Sequence, residues 1–199
     1  MRNIIYSLIC EDDAQKIFID GLIERYDNKN IEFTFNNIFY RTLFCRGNKE
    51  VKAKLPQAAN YSFLHQKGFY CDIVFVGLDY DDRERSNFNN ELEKIYEKVN
   101  IHARSKVIIL FPVQAIEHWL ILLKARLEKP SNTKNIAAEV EAINRSSAKT
   151  QLYPNRKQPK NQIIDPIIRE GDFDWLASIS VSFRAFHAKL NTFLNTQNG

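Results

Sequence analysis

The residues of this chain whose types and spacing suit chemistry are acids that follow apolar runs. Residues 71–82 read CDIVFVGLDYDD, an Ile, Val and Phe-rich run that stops abruptly at Asp79-Tyr80-Asp81-Asp82. Such a run reads as a buried strand with carboxylates at its exit. In open α/β sheets ligands sit just outside the carboxyl ends of the strands, so acids placed there can share a site with acids from neighbouring strand ends. If the extended conformation persists through Tyr80, Asp79 and Asp81 point the same way. Two such oxygen donors suit Mg²⁺, which takes one or two protein carboxylates and leaves its other positions to water and phosphate. The competing reading is an acidic turn in solvent, because Asp is also a common turn residue.

The pattern occurs a second time. Residues 3–9 form an apolar run that ends at Cys10-Glu11-Asp12-Asp13. Asp12 and Asp13 are placed to cap the helix that follows and to complement its dipole, where Ala14, Ile17, Phe18, Gly21, Leu22 and Tyr26 approximate one helical face. Glu11 instead falls at the strand's exit, from which its side chain can reach across to the Asp79 strand if the two are neighbours. A third acid, Glu117, lies between Ile116 and Trp119-Leu120. Its position early in a helix has a dipole explanation, yet a carboxylate in such apolar company is costly unless it is paired or meets a cation. His118 has no second histidine at ligand spacing and reads as a packing or hydrogen-bonding residue.

These acids need elements to position them. Residues 31–46 are dense in Phe, Ile and Tyr and read as one or two strands running through 33–41, and residues 50–66 read as a helix interrupted at Pro56. A helix over 90–99 separates the Asp79 strand from 106–111, KVIILF, a continuous apolar run suited to a strand covered on both faces. Pro112 is read as opening the helix that carries Glu117. The order strand, helix, strand, helix predicts an α/β fold with a mostly parallel central sheet flanked by helices, and puts Glu11, Asp79 and Phe111-Pro112 on one edge. Residues 1–127 are read as this core. Residues 128–199 are read as a helical elaboration packed on it, with helices near 137–144, 163–170 and 182–194, the last bearing the apolar stripe Phe183, Phe186, Leu190, Phe193 and Leu194.

Composition sets wider bounds. With 199 residues, 44% of them hydrophobic, the chain can bury a substantial core. A net charge of +4 suits a polyanionic partner without demanding one. Between Glu141 and Asp165 no acid occurs, while Arg145, Lys149, Arg156, Lys157 and Lys160 do. Such a run would track nucleic-acid phosphates; Pro154 and Pro159 favour the blander reading of a solvated polar loop. Lys157 could in addition stabilise charge developing on a transferred phosphoryl group. Cys10, Cys45 and Cys71 are odd in number and scattered, which argues for buried free thiols over a disulfide or zinc framework. The first apolar run is too short for a signal peptide and is broken by acids, and no stretch is long enough to cross a membrane, so a cytoplasmic protein is expected. A glycine-rich phosphate loop of the Walker type is absent, so any ATP-driven switching belongs to another chain.

Taken in order, the strand followed by Glu11, the later strand followed by Asp79-x-Asp81 and the PVQAIEHWLI run resemble the Toprim-like domains of prokaryotic defence proteins. The likeness is to a small standalone group related to the nuclease half of OLD-type systems, and it extends to Tyr153, Lys157 and the Ser180-Val181-Ser182-Phe183 tail. The resemblance implies a Toprim-like fold and a metal-dependent nuclease acting on DNA or RNA, transfer RNA included. It implies one or two Mg²⁺ or Mn²⁺ ions held by Glu11, Asp79 and Asp81, with Asp82 ranked behind them, and matches Glu117 to the family's Glu-x-Trp-Leu run. It also implies anti-phage defence beside an OLD-like or ABC-like ATPase. An alternative of another class is a catalytically silent Toprim-like subunit that binds an ATPase or nucleic acid. A receiver-like domain would need a lysine after a late strand, and a haloacid-dehalogenase-type phosphatase would carry its Asp-x-Asp after the first strand.

Overall fold

A computed structural model of the chain describes residues 2–27, 30–80, 87–130, 136–155 and 157–197. Four strands, β1 (Arg2–Ile9), β2 (Ile31–Phe35), β3 (Ile73–Gly77) and β4 (Val107–Leu110), form one sheet in the order β2-β1-β3-β4. Every pairing is parallel, with Ile9 beside Val76 and Gly77 beside Leu110 at the carboxyl ends. The expected α/β architecture, a parallel sheet flanked by helices with further helices at the C-terminal end, is the one observed.

Strand periodicity divides the core. Ile4, Tyr6 and Leu8 of β1, Ile73 and Phe75 of β3, and Ile108 and Leu110 of β4 face one apolar cluster. Ile9, Val74, Val76, Val107 and Ile109 face a second, on the other side of the sheet. Successive side chains of a strand alternate between faces, and with both faces covered the strands β3 and β4 are buried throughout. The first cluster holds α1 (Asp13–Tyr26), α5 (Ile116–Glu128), α8 (Lys160–Glu170) and α10 (Val181–Gln197). The second is closed by α3 (Asn48–Tyr61) and α4 (Phe88–Glu97), with Phe39 of α2 (Asn37–Thr42) also buried in it. Where α1 crosses α8, Gly21 brings the backbones together, since a Cβ there would lie 3.2 Å from Ile168.

Four local expectations are corrected. The aromatic stretch after residue 31 is not strand through residue 41: β2 ends at Phe35 and α2 begins at Asn37. Asn36 is the reason. Its Oδ1 accepts from the Phe39 N–H, and its Nδ2 donates to the carbonyls of Gly68 and Tyr70. Pro112 does not open a helix either. Its carbonyl accepts from the Tyr80 N–H, prolonging the pairing beyond β3 and β4, and the chain then turns through Gln114 at φ 67° before α5 starts at Ile116. The basic segment is not one loop. Asn144 accepts from the Ser147 N–H and starts α7 (Arg145–Leu152), which buries Ala148 and Leu152. Finally, the helix of residues 48–61 runs through Pro56, and α6 (Ile136–Ala142) and α9 (Phe173–Ile179) complete the helical set named here. Cys10, Cys45 and Cys71 are free and buried. Among the described residues no helix is long and apolar enough to cross a membrane.

Candidate functional site at the carboxyl ends of the central strands

Strand order defines where this sheet can hold a ligand. From β1 the chain moves outward on one side to β2, then returns to the opposite side of β1 for β3 and β4. The order therefore reverses between β1 and β3, and the crevice outside their carboxyl ends is the topological switch point where open α/β sheets bind ligands. Glu11 leaves β1 and Asp79 leaves β3 at this crevice.

Both acids are buried, Asp79 to 1% exposure and the Glu11 side chain to 6%. Gln15, in the first turn of α1, ties them together: its Nε2 donates to Asp79 Oδ1 at 2.9 Å and its Oε1 accepts from the Glu11 N–H at 3.0 Å. Gly77 makes room for that amide, because a Cβ there would come within 2.9 Å of Gln15 Cδ. Asn48, at the start of α3, donates to the Asp79 carbonyl at 2.9 Å. Arg145 enters from α7, pairs with Glu11 and lies 2.9 Å from Asp79 Oδ2. The second contact is one of charge without hydrogen-bond alignment, for Asp79 Oδ2 has no hydrogen-bond partner. Burial first and the Glu11 charge second push the Asp79 carboxyl well above its ordinary range, with Arg145 pulling the other way.

A second pairing sits beside the first. Asp12 caps α1 as expected, accepting from the Ala14 and Gln15 N–H groups, while its other oxygen lies 3.4 Å from Lys149 Nζ. Lys149 is also 3.7 Å from Glu117 Oε1. Glu117 has no exposed surface and neither of its oxygens accepts a hydrogen bond. Burial raises its carboxyl above the ordinary range, against the pull of Lys149. The Tyr153 hydroxyl is likewise buried without a hydrogen-bond partner, and burial, then the Glu117 and Asp12 charges, raise it. Arg145 and Lys149 are four apart, one turn of α7, so a single helix face delivers both cations to the acids.

Glu11, Asp79 and Glu117 are thus brought to one edge, linked through Arg145, Asp12 and Lys149. Asp81, Asp82 and Arg156 lie outside the described residues. Lys157 is exposed beyond the end of α7, and its backbone N–H donates to Asn155. The lysine nearer the acids is Lys160, which lines a cavity of about 280 Å³ together with Glu11, Asp12, Asp13 and Arg46. His118 has its ring nitrogens at the Ala115 and Ile143 carbonyls, and Trp119 donates to Ser182, so both residues serve packing. Gln15 and Asn48 were not singled out by sequence reasoning. Asn144, an N-cap residue before Arg145, was the available signal for α7.

Among the described residues no group of three or more His, Cys, Asp or Glu side chains is arranged to hold a metal ion. What the fold brings together is a pair, Glu11 with Asp79, whose all-oxygen donors fit a hard divalent cation, with Asp79 Oδ2 accepting no hydrogen bond and facing Arg145 by charge alone. Fold and site define an α/β protein with buried acids at the switch point of a parallel sheet. Compared with protein-family models, curated proteins and solved structures, the chain matches none.

Proposed function

We propose that this chain is a Mg²⁺- or Mn²⁺-dependent nuclease with a Toprim-like core, hydrolysing phosphodiester bonds of DNA or RNA. The observation that carries the reading is the burial of Glu11 and Asp79 side by side at the switch point, a costly arrangement that a divalent cation taking the place of the Arg145 guanidinium would equally relieve. Gln15 and Asn48 hold Asp79 in place, so its Oδ2 is presented in a fixed direction. A divalent cation bound by Glu11 and Asp79, with Asp81 as the further acid of the resemblance, would supply charge that activates water and steadies the leaving oxygen. Glu117, raised by burial, is a group able to hold a proton beside that pair. Lys160, lining the cavity beside Glu11, gives the same edge positive charge for a phosphate backbone.

A second reading rests on Arg145. Its guanidinium already neutralises the acid pair, the arrangement expected of a silent subunit that keeps the fold and binds nucleic acid or an ATPase. Cleavage of duplex DNA, single-stranded DNA and total transfer RNA by the purified chain, with Mn²⁺ and with chelator, separates the two. Metal-dependent cleavage of one class supports the nuclease. Unchanged activity in chelator removes it, and the absence of both cleavage and metal binding favours the silent subunit.

A further inference from the structure

Beside the acids, between α7 and the start of α8, lies a cavity of about 360 Å³ lined by Ser146, Lys149, Thr150, Tyr153, Gln158 and Lys160. Among the described residues every lining side chain carries a hydrogen-bond donor and none is acidic. The volume falls within the size range of small-molecule sites, roughly 300–1,000 Å³. Two features give it an anionic preference. Lys160 has no acid within ion-pair distance among the described residues, and its ammonium lies 5.6 Å from the Tyr153 ring centroid. The first turn of α8 contains no acid and no side chain caps it. The Tyr153 ring forms a wall of the cavity, while its hydroxyl is buried on the side of Glu117 and Asp12 and stays out of reach of a ligand. Lys149 is the weaker contributor, since Asp12 and Glu117 already draw on its charge.

We propose that this cavity is a phosphomonoester subsite that takes the terminal phosphate of a nucleotide, either free or at the end of a strand. Lys160 supplies the charge, with Ser146 and Gln158 as donors around the phosphate oxygens and the Tyr153 ring as a wall. Thr150 spends its hydroxyl proton on the Ser146 carbonyl and contributes mainly shape. Lys160 lines this cavity and the one beside Glu11 alike, and Lys149 stands between this cavity and Glu117, so a strand anchored here by its end would run toward the acids. Binding of the phosphate is independent of any metal. Only the consequence, that strand ends are seated next to the cleavage site, rests on the nuclease reading above.

The test is calorimetric titration of the full chain in chelator with uridine 5′-monophosphate, uridine, and a tetranucleotide bearing either a 5′-phosphate or a 5′-hydroxyl. The phosphorylated member of each pair should bind at least about tenfold more tightly, as expected for a charge-assisted contact. Lys160→Gln should remove most of that advantage and Gln158→Leu a smaller part, while Lys98→Gln, in a separate cavity against α4, should leave it unchanged. Preference for the mononucleotide identifies a free-nucleotide site, and preference for the phosphorylated strand identifies an end-binding site. Equal binding of phosphorylated and unphosphorylated probes, or loss in Lys98→Gln but not Lys160→Gln, overturns the proposal. Far-ultraviolet circular dichroism of each variant checks folding. Because Asp79→Asn should retain the phosphate advantage, failure of metal-dependent cleavage and failure of this subsite are distinguishable.

Discussion

The two acid pairings at the sheet edge are built to different standards. Glu11 and Asp79 are fixed from three sides, by Gln15 across the strand ends, by Asn48 on the Asp79 backbone and by Arg145 in direct contact. Asp12 and Glu117 share one lysine at 3.4 and 3.7 Å, and Glu117 has no hydrogen bond to either oxygen. Held acids suit a group whose position matters, such as a cation ligand. A buried acid left without hydrogen bonds has its proton affinity raised, which suits a group that holds and releases a proton. Proton affinity alone does not divide them, because Asp79 is raised too; firmness of hold does, and it assigns positioning to the first pairing.

The comparison breaks most visibly at Asp79. In the nuclease reading, Asp79→Asn should lower metal-dependent cleavage by roughly 10³-fold, within the range that a positioned catalytic group supplies. Glu117→Gln should lower it less, because Glu117 stands beside the acid pair and does not hold the cation, and should shift its pH profile. Equal losses with unchanged pH profiles would mean that the two acids act as one group.

Stability sharpens the same contrast. Removing one partner of a buried pair costs about 3–5 kcal/mol, but Arg145 is 34% exposed, so solvent screening reduces the expected cost of Arg145→Met in chelator to about 2 kcal/mol. Lys149→Met, at longer distances and 36% exposure, should cost less than about 1 kcal/mol. Thermal melts read both. Mn²⁺ should then raise the melting temperature of Arg145→Met more than that of the wild type, because a cation entering between Glu11 and Asp79 no longer displaces the guanidinium. Identical Mn²⁺ shifts in the two proteins would argue against a cation site at this pair.

The strand exits were legible because the boundary is local: an apolar run ends and an acid follows, at Glu11 and at Asp79, and no distant residue is needed to see it. The end of β2 was not legible, since Asn36 converts aromatic sequence to helix with help from the carbonyls of Gly68 and Tyr70, more than thirty positions away. The direction of Arg145 and Lys149 was hidden for a similar reason. Their charges read as free for phosphate, but Ala148 and Leu152 dock α7 into the core and so aim both cations at the acids. Gln15 carried no signal at all, being one polar residue in a first helical turn until β3 arrives beside it.

The smallest expected effect is a slope. Burial raises the folded-state Glu117 carboxyl above the ordinary value of 4.5, so the folded protein keeps this proton where the unfolded chain has released it. Its contribution to stability is fully present below pH 4.5 and is lost as pH rises through the raised folded value. Asp79 is raised in the same direction and adds to the fall. Glu117→Gln removes one of the two contributions, so its unfolding free energy should decline less steeply above pH 4.5 than that of the wild type. Near neutral pH the variant should melt about 2 °C higher despite losing its attraction to Lys149, because a neutral amide carries no charge to desolvate. Denaturant melts of both proteins between pH 4 and pH 8, in chelator, measure the two slopes. Parallel curves would mean that Lys149 fully compensates the buried charge of Glu117, leaving this acid no raised proton affinity.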